Sequence, residues 1–239
     1  MDNTVYSTLS RQSGLMDQMQ SVANNIANLS TTGFRKEGLI FSEYVDRLGG
    51  AEPSLSMATA NTKSIDLTQG NLSQTGGTYD FAIEGKGFFL LGTPNGQRLT
   101  RAGSFMPGAD GTLVNADGNQ LLDNGASPII IPPGTASVAV SSDGTLSADG
   151  TPIAQVGLFE STDQTDLSYQ AGTNFSAPKG VQPASDGATI RQGALEDSNV
   201  NPITEVAKMI EVQRAYEHGQ AFLDQEDQRI RGVIDTLSK

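Results

Sequence analysis

VYSTLSRQSGLMDQMQSVANNIANL, residues 5–29, decides the fold. Val5, Leu9, Gln12, Met16, Met19, Ala23 and Ile26 follow one another at alternating spacings of four and three. That spacing keeps side chains on one face of a helix and is the pattern of a heptad seam. Leu15, Val22 and Leu29 recur every seven residues beside the seam and widen it. Gln12 and Ala23 are its weak positions. The stripe stops at Ser30-Thr31-Thr32-Gly33, where short polar side chains and a glycine offer the backbone a way out of the helix.

The far end of the chain mirrors this arrangement. Asn201-Pro202 predicts a helix start, because Asn accepts the first free amides and Pro fits a first turn in which no donor is missed. Met209, Val212, Tyr216, Gly219, Leu223, Glu226, Ile230, Val233 and Leu237 then step by three and four. Gly219 and Glu226 interrupt this stripe, and pairing is expected to weaken around them.

Between the two ends the helical period disappears. Residues 71–199 hold most of the 27 Gly and eight of the ten Pro. Short apolar runs such as Phe81-Ala82-Ile83 and Phe88-Phe89-Leu90-Leu91 alternate with Asn95-Gly96, Asp110-Gly111, Asp117-Gly118, Asp143-Gly144 and Asp149-Gly150. These dipeptides favour tight turns with positive φ, so the region reads as serial hairpins. DGTLVNADG (110–118) and DGTLSADG (143–150) are near-repeats, each a short strand between turns.

Four segments follow: an N-terminal assembly helix at 1–33, a connector at 34–70, a β domain at 71–199 and a C-terminal assembly helix at 200–239. In the connector, Leu39-Ile40-Phe41 with Tyr44 and Val45 predicts one docked strand or short helix, and 49–61 reads as extended or flexible. The fold class is α+β, its terminal helices paired as an antiparallel or parallel coiled-coil-like stem beside an irregular all-β domain.

The formal net charge is −12, and residues 71–199 carry −8 of it. Such a surface argues against nucleic acid and anionic membranes as partners. No run approaches the ~18 apolar residues of a membrane span, so no membrane insertion is expected. The N-terminus has no basic segment followed by an apolar run, which by itself predicts a cytoplasmic protein.

Chemistry is scarce. Without cysteine, and with His218 as the single histidine, zinc and iron sites of the usual kind are not expected. Glu84-Gly85-Lys86-Gly87 lacks phosphate-loop spacing and reads as a tight β turn. The Asp-Gly pairs do not form a calcium loop. No catalytic residue, cofactor or metal is expected.

The stretch NNIANLSTTGFR, residues 24–35, resembles the signature of the flagellar basal-body rod, hook and hook-associated family. TYDFAIEGKGFF (78–89), LTRAGSF (99–105) and GALEDSNVNP (193–202), continued by MIEVQRAY (209–216), resemble its other motifs. The short β domain resembles neither the hook protein nor the filament-junction proteins, and SPIIIPPG (127–134) looks like a proximal-rod member.

The resemblance implies a structural subunit of a hollow, torque-transmitting shaft. Its partners would be copies of itself, neighbouring axial proteins and the flagellar type III export apparatus. Export without a cleaved signal would place it in the rod spanning the periplasm, in place of the cytoplasm. Assembly would fall to Val5, Leu9, Met16, Met19, Asn25, Ile26, Asn28, Gly33, Phe34, Met209, Val212, Tyr216, Leu223, Ile230, Val233 and Leu237. Two rivals remain: a distal-rod member of the same family, or a soluble β-domain binding protein that dimerises through its end helices.

Overall fold

A computed structural model of the chain describes residues 2–46, 55–163, 165, 167–184 and 187–237. Two compact units emerge. One comprises Met1–Ala27, Glu37–Asp66 and Asn201–Lys239; the other comprises Asn28–Lys36 and Leu67–Val200. The division cuts across the sequence-based segments. The tail of the first segment belongs with the β unit, and most of the connector belongs with the helices.

In the helical unit, α1 (Asp2–Ala27) and α2 (Pro202–Leu237) lie against one another, and α1 also packs on a hairpin of β1 (Glu37–Asp46) and β2 (Leu55–Ile65). The hairpin pairs antiparallel from Glu37↔Ile65 to Asp46↔Leu55, with a bulge between Ile40 and Phe41. Two strands therefore form where the sequence predicts one docked strand or short helix. The sequence alone makes residues 55–61 part of an extended or flexible run. Alanine and asparagine make a poor strand alone, but cross-strand pairing with β1 and contact with α1 supply the missing drive. Residues 49–54 of that run lie outside the described residues.

α1 ends at Ala27, just before the polar stop. Asn28 opens the turn: its carbonyl accepts the Thr31 amide at 3.2 Å and its side-chain oxygen accepts the Thr31 hydroxyl at 3.1 Å. α2 begins as predicted, with the Asn201 side-chain oxygen accepting the Ile203 and Thr204 amides at 3.0 and 3.2 Å.

In the β unit every pairing is antiparallel. A central sheet is built around Phe88–Thr93, which pairs with Gly96–Thr100 on one side and Gln120–Leu121 on the other. The ends of the unit close on each other: Phe81–Glu84 pairs with Thr189–Gln192, and Leu72–Gln74 with Ala194–Glu196. Phe81, Phe89 and Phe105 cluster with Leu91, Leu113, Leu121, Ile129, Leu146, Val156 and Ile190 as the core. Gly96, Gly111, Gly118, Gly144 and Gly150, the glycines of the five dipeptides quoted above, have positive φ.

The two near-repeats fold alike. In each, one Asp oxygen accepts the amide of the Thr two residues on and the other its hydroxyl: Asp110 with Thr112 at 3.1 and 2.9 Å, and Asp143 with Thr145 at 3.0 and 2.9 Å. The amide bonds, first, and the hydroxyl bonds hold both carboxyls below the ordinary range. Leu113 and Leu146, next in line, are both fully buried.

Candidate assembly interface

Gln12 reaches α2 at Tyr216 and Gly219, whereas Asn25, further along α1, reaches it at Glu205. The two helices therefore run antiparallel. On α2 the side turned from solvent is Glu205, Met209, Val212, Tyr216, Gly219, Leu223 and Glu226, in step with the predicted stripe. The stripe continues through Ile230, Val233 and Leu237, but these are exposed.

On α1 the shielded side runs through Gln12, Leu15, Met19, Val22, Asn25 and Ile26, with Val22 and Asn25 fully buried. Leu9, Met16 and Ala23 fall on an exposed line of their own. The widening positions thus face inward, and one column of the predicted seam faces solvent. Val5 lies within α1, with its side chain outside the described residues.

The two weak positions of the stripes complement each other. Gln12 Nε2 donates to the Tyr216 carbonyl at 2.9 Å, and a Cβ at Gly219 would sit 2.4 Å from that nitrogen. Glycine is the notch that admits the glutamine. Buried polar groups need partners, and a single one in an apolar seam fixes register.

At the other end of the pair, the Asn25 side chain bonds the backbone of Glu37 in both directions. Its Oδ1 accepts the Glu37 amide at 2.9 Å, and its Nδ2 donates to the Glu37 carbonyl at 2.8 Å and to Glu205 Oε2 at 3.1 Å. Ser21 donates to the same carbonyl at 3.3 Å. Glu205 is fully buried in the first turn of α2, where the helix dipole favours a carboxylate. One asparagine thereby joins α1 to the start of β1 and to α2.

In the β unit the segment after Asn28 docks by its aromatic and its arginine. Gly33, at φ +70°, donates its amide to the Glu196 carbonyl at 2.7 Å. Phe34 is buried and stacks on Tyr169 with ring centroids 5.4 Å apart. The Tyr169 hydroxyl accepts the Arg35 amide at 2.8 Å and donates to the Arg35 carbonyl at 2.6 Å.

Glu196, fully buried, sits between two buried arginines. Its Oε1 is 2.6 Å from Arg35 Nη2, and its Oε2 is 3.0 Å from Arg101 Nη1. The Gly70 amide donates to Oε1 at 2.9 Å, Arg35 also donates to the Thr68 carbonyl, and Arg101 Nη2 donates to the Gly85 carbonyl at 2.7 Å. Burial lowers the Arg101 pKa to about 10; Glu196 counters this, while Arg35 adds to it. The Arg101 guanidinium remains charged at neutral pH.

Among the described residues no cluster of His, Asp or Glu could hold a metal, and no helix is long and apolar enough to cross a membrane. His218 is exposed on α2. The geometry is that of surfaces built to pack and motifs built to hold.

Comparison with known proteins agrees. Residues 82–148 match the model of the flagellar hook protein FlgE/F/G D1 domain, and residues 191–235 that of the flagellar basal body rod FlgEFG protein C-terminal region. The flagellar basal-body rod protein FlgF of Caulobacter vibrioides is 39% identical over 249 residues, covering 100% of this chain and 99% of that protein. The chain belongs to the flagellar basal-body rod protein family. FlgF of Mesorhizobium japonicum is 32% identical over 99% of the chain and 98% of its own length, and FlgG of Bacillus subtilis is 30% identical over 98% and 99%. As a member of this family the chain is a structural rod subunit of the flagellar basal body, assembling with other axial proteins.

Val5 aside, the expected interface residues of this rod subunit fall into three groups by exposure. Asn25, Gly33, Phe34 and Val212 are buried within the chain and hold its own fold. Met19, Ile26, Asn28, Met209, Tyr216 and Leu223 are half-buried, while Leu9, Met16, Ile230, Val233 and Leu237 are open to a neighbour. Sequence reasoning passed over Arg35, Arg101 and Glu196. Each stands inside a quoted motif, Arg35 in 24–35, Arg101 in 99–105 and Glu196 in 193–202, a signal visible in the sequence, and the fold brings the three together.

Proposed function

We propose that this rod subunit occupies the proximal rod and joins its neighbours, copies of itself included, through the helical unit, while the acidic β unit stays solvated. One observation carries this reading. Of the thirteen large apolar side chains exposed among the described residues, ten stand on α1 or α2 and two in the β unit. Leu9 and Met16 on α1, and Ile203, Val206 and Ile210 on α2, lie uncovered at spacings that make continuous stripes. Patches of this kind mark surfaces that another protein covers. The chain reaches the periplasm through the flagellar type III apparatus, and it catalyses no reaction.

The test is to place charge on a stripe where the fold does not need the side chain. Met16→Asp and Ile210→Asp, each in cells lacking the native chain, should leave the purified protein folded by circular dichroism. Both should abolish swimming and remove the chain from isolated basal bodies. Normal rods and motility in both variants would refute the reading.

A further inference from the structure

Within the β unit, three hairpins border a cleft of about 340 Å³. The turn at 94–95 joins Phe88–Thr93 to Gly96–Thr100, and the turn at 115–119 joins Leu113–Val114 to Gln120–Leu121. The third, at 172–173, joins Ser168–Ala171 to Asn174–Ser176. The volume lies at the small end of the range for small-molecule sites, about 300–1,000 Å³. The walls carry four carboxamides, Asn95, Asn119, Gln170 and Asn174, with one cation, Arg98, and one anion, Asp117.

The carboxamides are held in place without being used up. Asn95 and Asn119 shape their turns with backbone groups. The Asn95 amide donates to Thr93 Oγ1 at 3.2 Å, and the Asn119 amide donates to Asn115 Oδ1 at 2.9 Å. Among the described residues the side chains of Asn95, Asn119 and Gln170 have no hydrogen-bond partner. Asn174 is fixed by burial, at 6% exposure. Its Oδ1 is covered by the fold, which leaves Nδ2 as the group it turns to the cleft.

We propose that this cleft binds a short neutral saccharide. A carboxamide offers donors and an acceptor with no net charge, which suits hydroxyl and acetamido groups. Arg98 is taken up by its own hairpin, donating Nη1 to the Gln97 carbonyl at 2.8 Å and Nη2 to the Asn95 carbonyl at 3.0 Å. Asp117 matches its charge, so the walls have no net charge to hold an ion. Pro94 is the one apolar ring among them, and no aliphatic or aromatic recess exists for a peptide anchor to fill. In the complex, Asn174 Nδ2 donates to a sugar oxygen from the wall, and Asn95, Asn119 and Gln170 take the remaining hydroxyls. The site goes beyond the rod reading and does not depend on it, since the β unit presents the cleft whatever covers the helices.

Heteronuclear NMR of the isotope-labelled full chain, titrated with chitotriose and with cellotriose, reads the cleft directly, because side-chain amides give their own signals. Those of Asn95, Asn119, Gln170 and Asn174 should move saturably with at least one sugar, at a dissociation constant on the order of 1 mM. Asn95→Ala and Asn119→Ala keep every backbone bond of their turns. Each should weaken binding about three- to tenfold, the worth of one or two neutral hydrogen bonds. Co-sedimentation with isolated cell-wall glycan separates the sources: capture that chitotriose reverses makes the wall polymer the ligand, and binding of the oligosaccharide alone makes it a soluble sugar. Both results uphold the site. No saturable shift with either sugar, shifts confined to other residues, shifts undiminished in both variants, or the same shifts produced by tetra-alanine would overturn it.

Discussion

Gly33→Ala and Gly76→Ala form a matched pair. The two glycines have nearly the same left-handed backbone, φ +70° and +72°. Forcing an L-residue into that region costs about 1–2 kcal/mol at either site. Their surroundings differ. A Cβ at Gly76 meets nothing within 4 Å, whereas at Gly33 it would lie 2.3 Å from the Ala102 nitrogen and 2.4 Å from the Arg101 carbonyl carbon. Those are backbone atoms, so no side chain can swing aside. Relief requires about 1 Å of separation between the two strands of chain. That movement stretches the 2.7 Å bond from Gly33 to the Glu196 carbonyl, worth about 1 kcal/mol, and disturbs the neighbouring Arg35–Glu196 contact. Gly33→Ala should therefore cost about 4 kcal/mol and Gly76→Ala about 1–2 kcal/mol. Urea unfolding followed by near-ultraviolet circular dichroism measures both, at an m-value that should not change between them. Equal losses, within about 0.5 kcal/mol, would refute the claim that close packing at Gly33 reinforces its conformational demand.

Two further outcomes follow from the charged groups. Glu196→Gln removes the anion between Arg35 and Arg101 and leaves two buried cations facing each other, so it should destabilise the β unit by about 3–5 kcal/mol in the same unfolding assay; a loss below about 1 kcal/mol would contradict the network. Asp163 is held down to about 2, chiefly by the Lys179 side-chain hydrogen bond and then by Thr165. A depressed carboxylate stabilises the fold above its unfolded pKa, so this contribution should be lost as the pH falls from about 4 towards 2. Carboxyl chemical shifts should show Asp163 titrating near 2 in the native chain and higher in Lys179→Met; an unmoved midpoint would remove Lys179 as the cause.

The parts of the fold that obey a period were legible from the sequence, and the parts that depend on distant partners were not. The α2 stripe from Met209 to Glu226 faces inward as its spacing predicts, because a helix presents its faces by arithmetic alone. The α1 seam was harder to read. Two adjacent columns are both apolar, and only the position of α2 decides that Leu15 and Val22 go in while Leu9 and Met16 stay out. β2 escaped for a related reason: Thr59, Ala60 and Thr62 become a strand by pairing with Ser42, Phe41 and Ile40. Periodicity picked out Leu9, Met16, Ile230, Val233 and Leu237, which are exposed, and passed over Ile203, Val206 and Ile210. It was silent on Arg35, Arg101 and Glu196, whose roles arise from a meeting of residues up to 161 positions apart in the numbering.

The seam positions that look like faults in the sequence are the most informative ones in the structure. Glutamine at 12 and glycine at 219 each weaken a heptad stripe considered alone. Placed opposite each other they fit, since the missing Cβ of Gly219 makes the space through which Gln12 reaches the Tyr216 carbonyl. A leucine in place of Gln12 would bury more apolar area, yet it would pair with any apolar position of α2 equally well. The glutamine accepts one register only, because its amide needs both the notch and the carbonyl. Its Oε1 stays buried without a partner, a cost that the register bond from Nε2 offsets. The pair of faults thus gives up some apolar burial inside the helix seam and gains a single register in return.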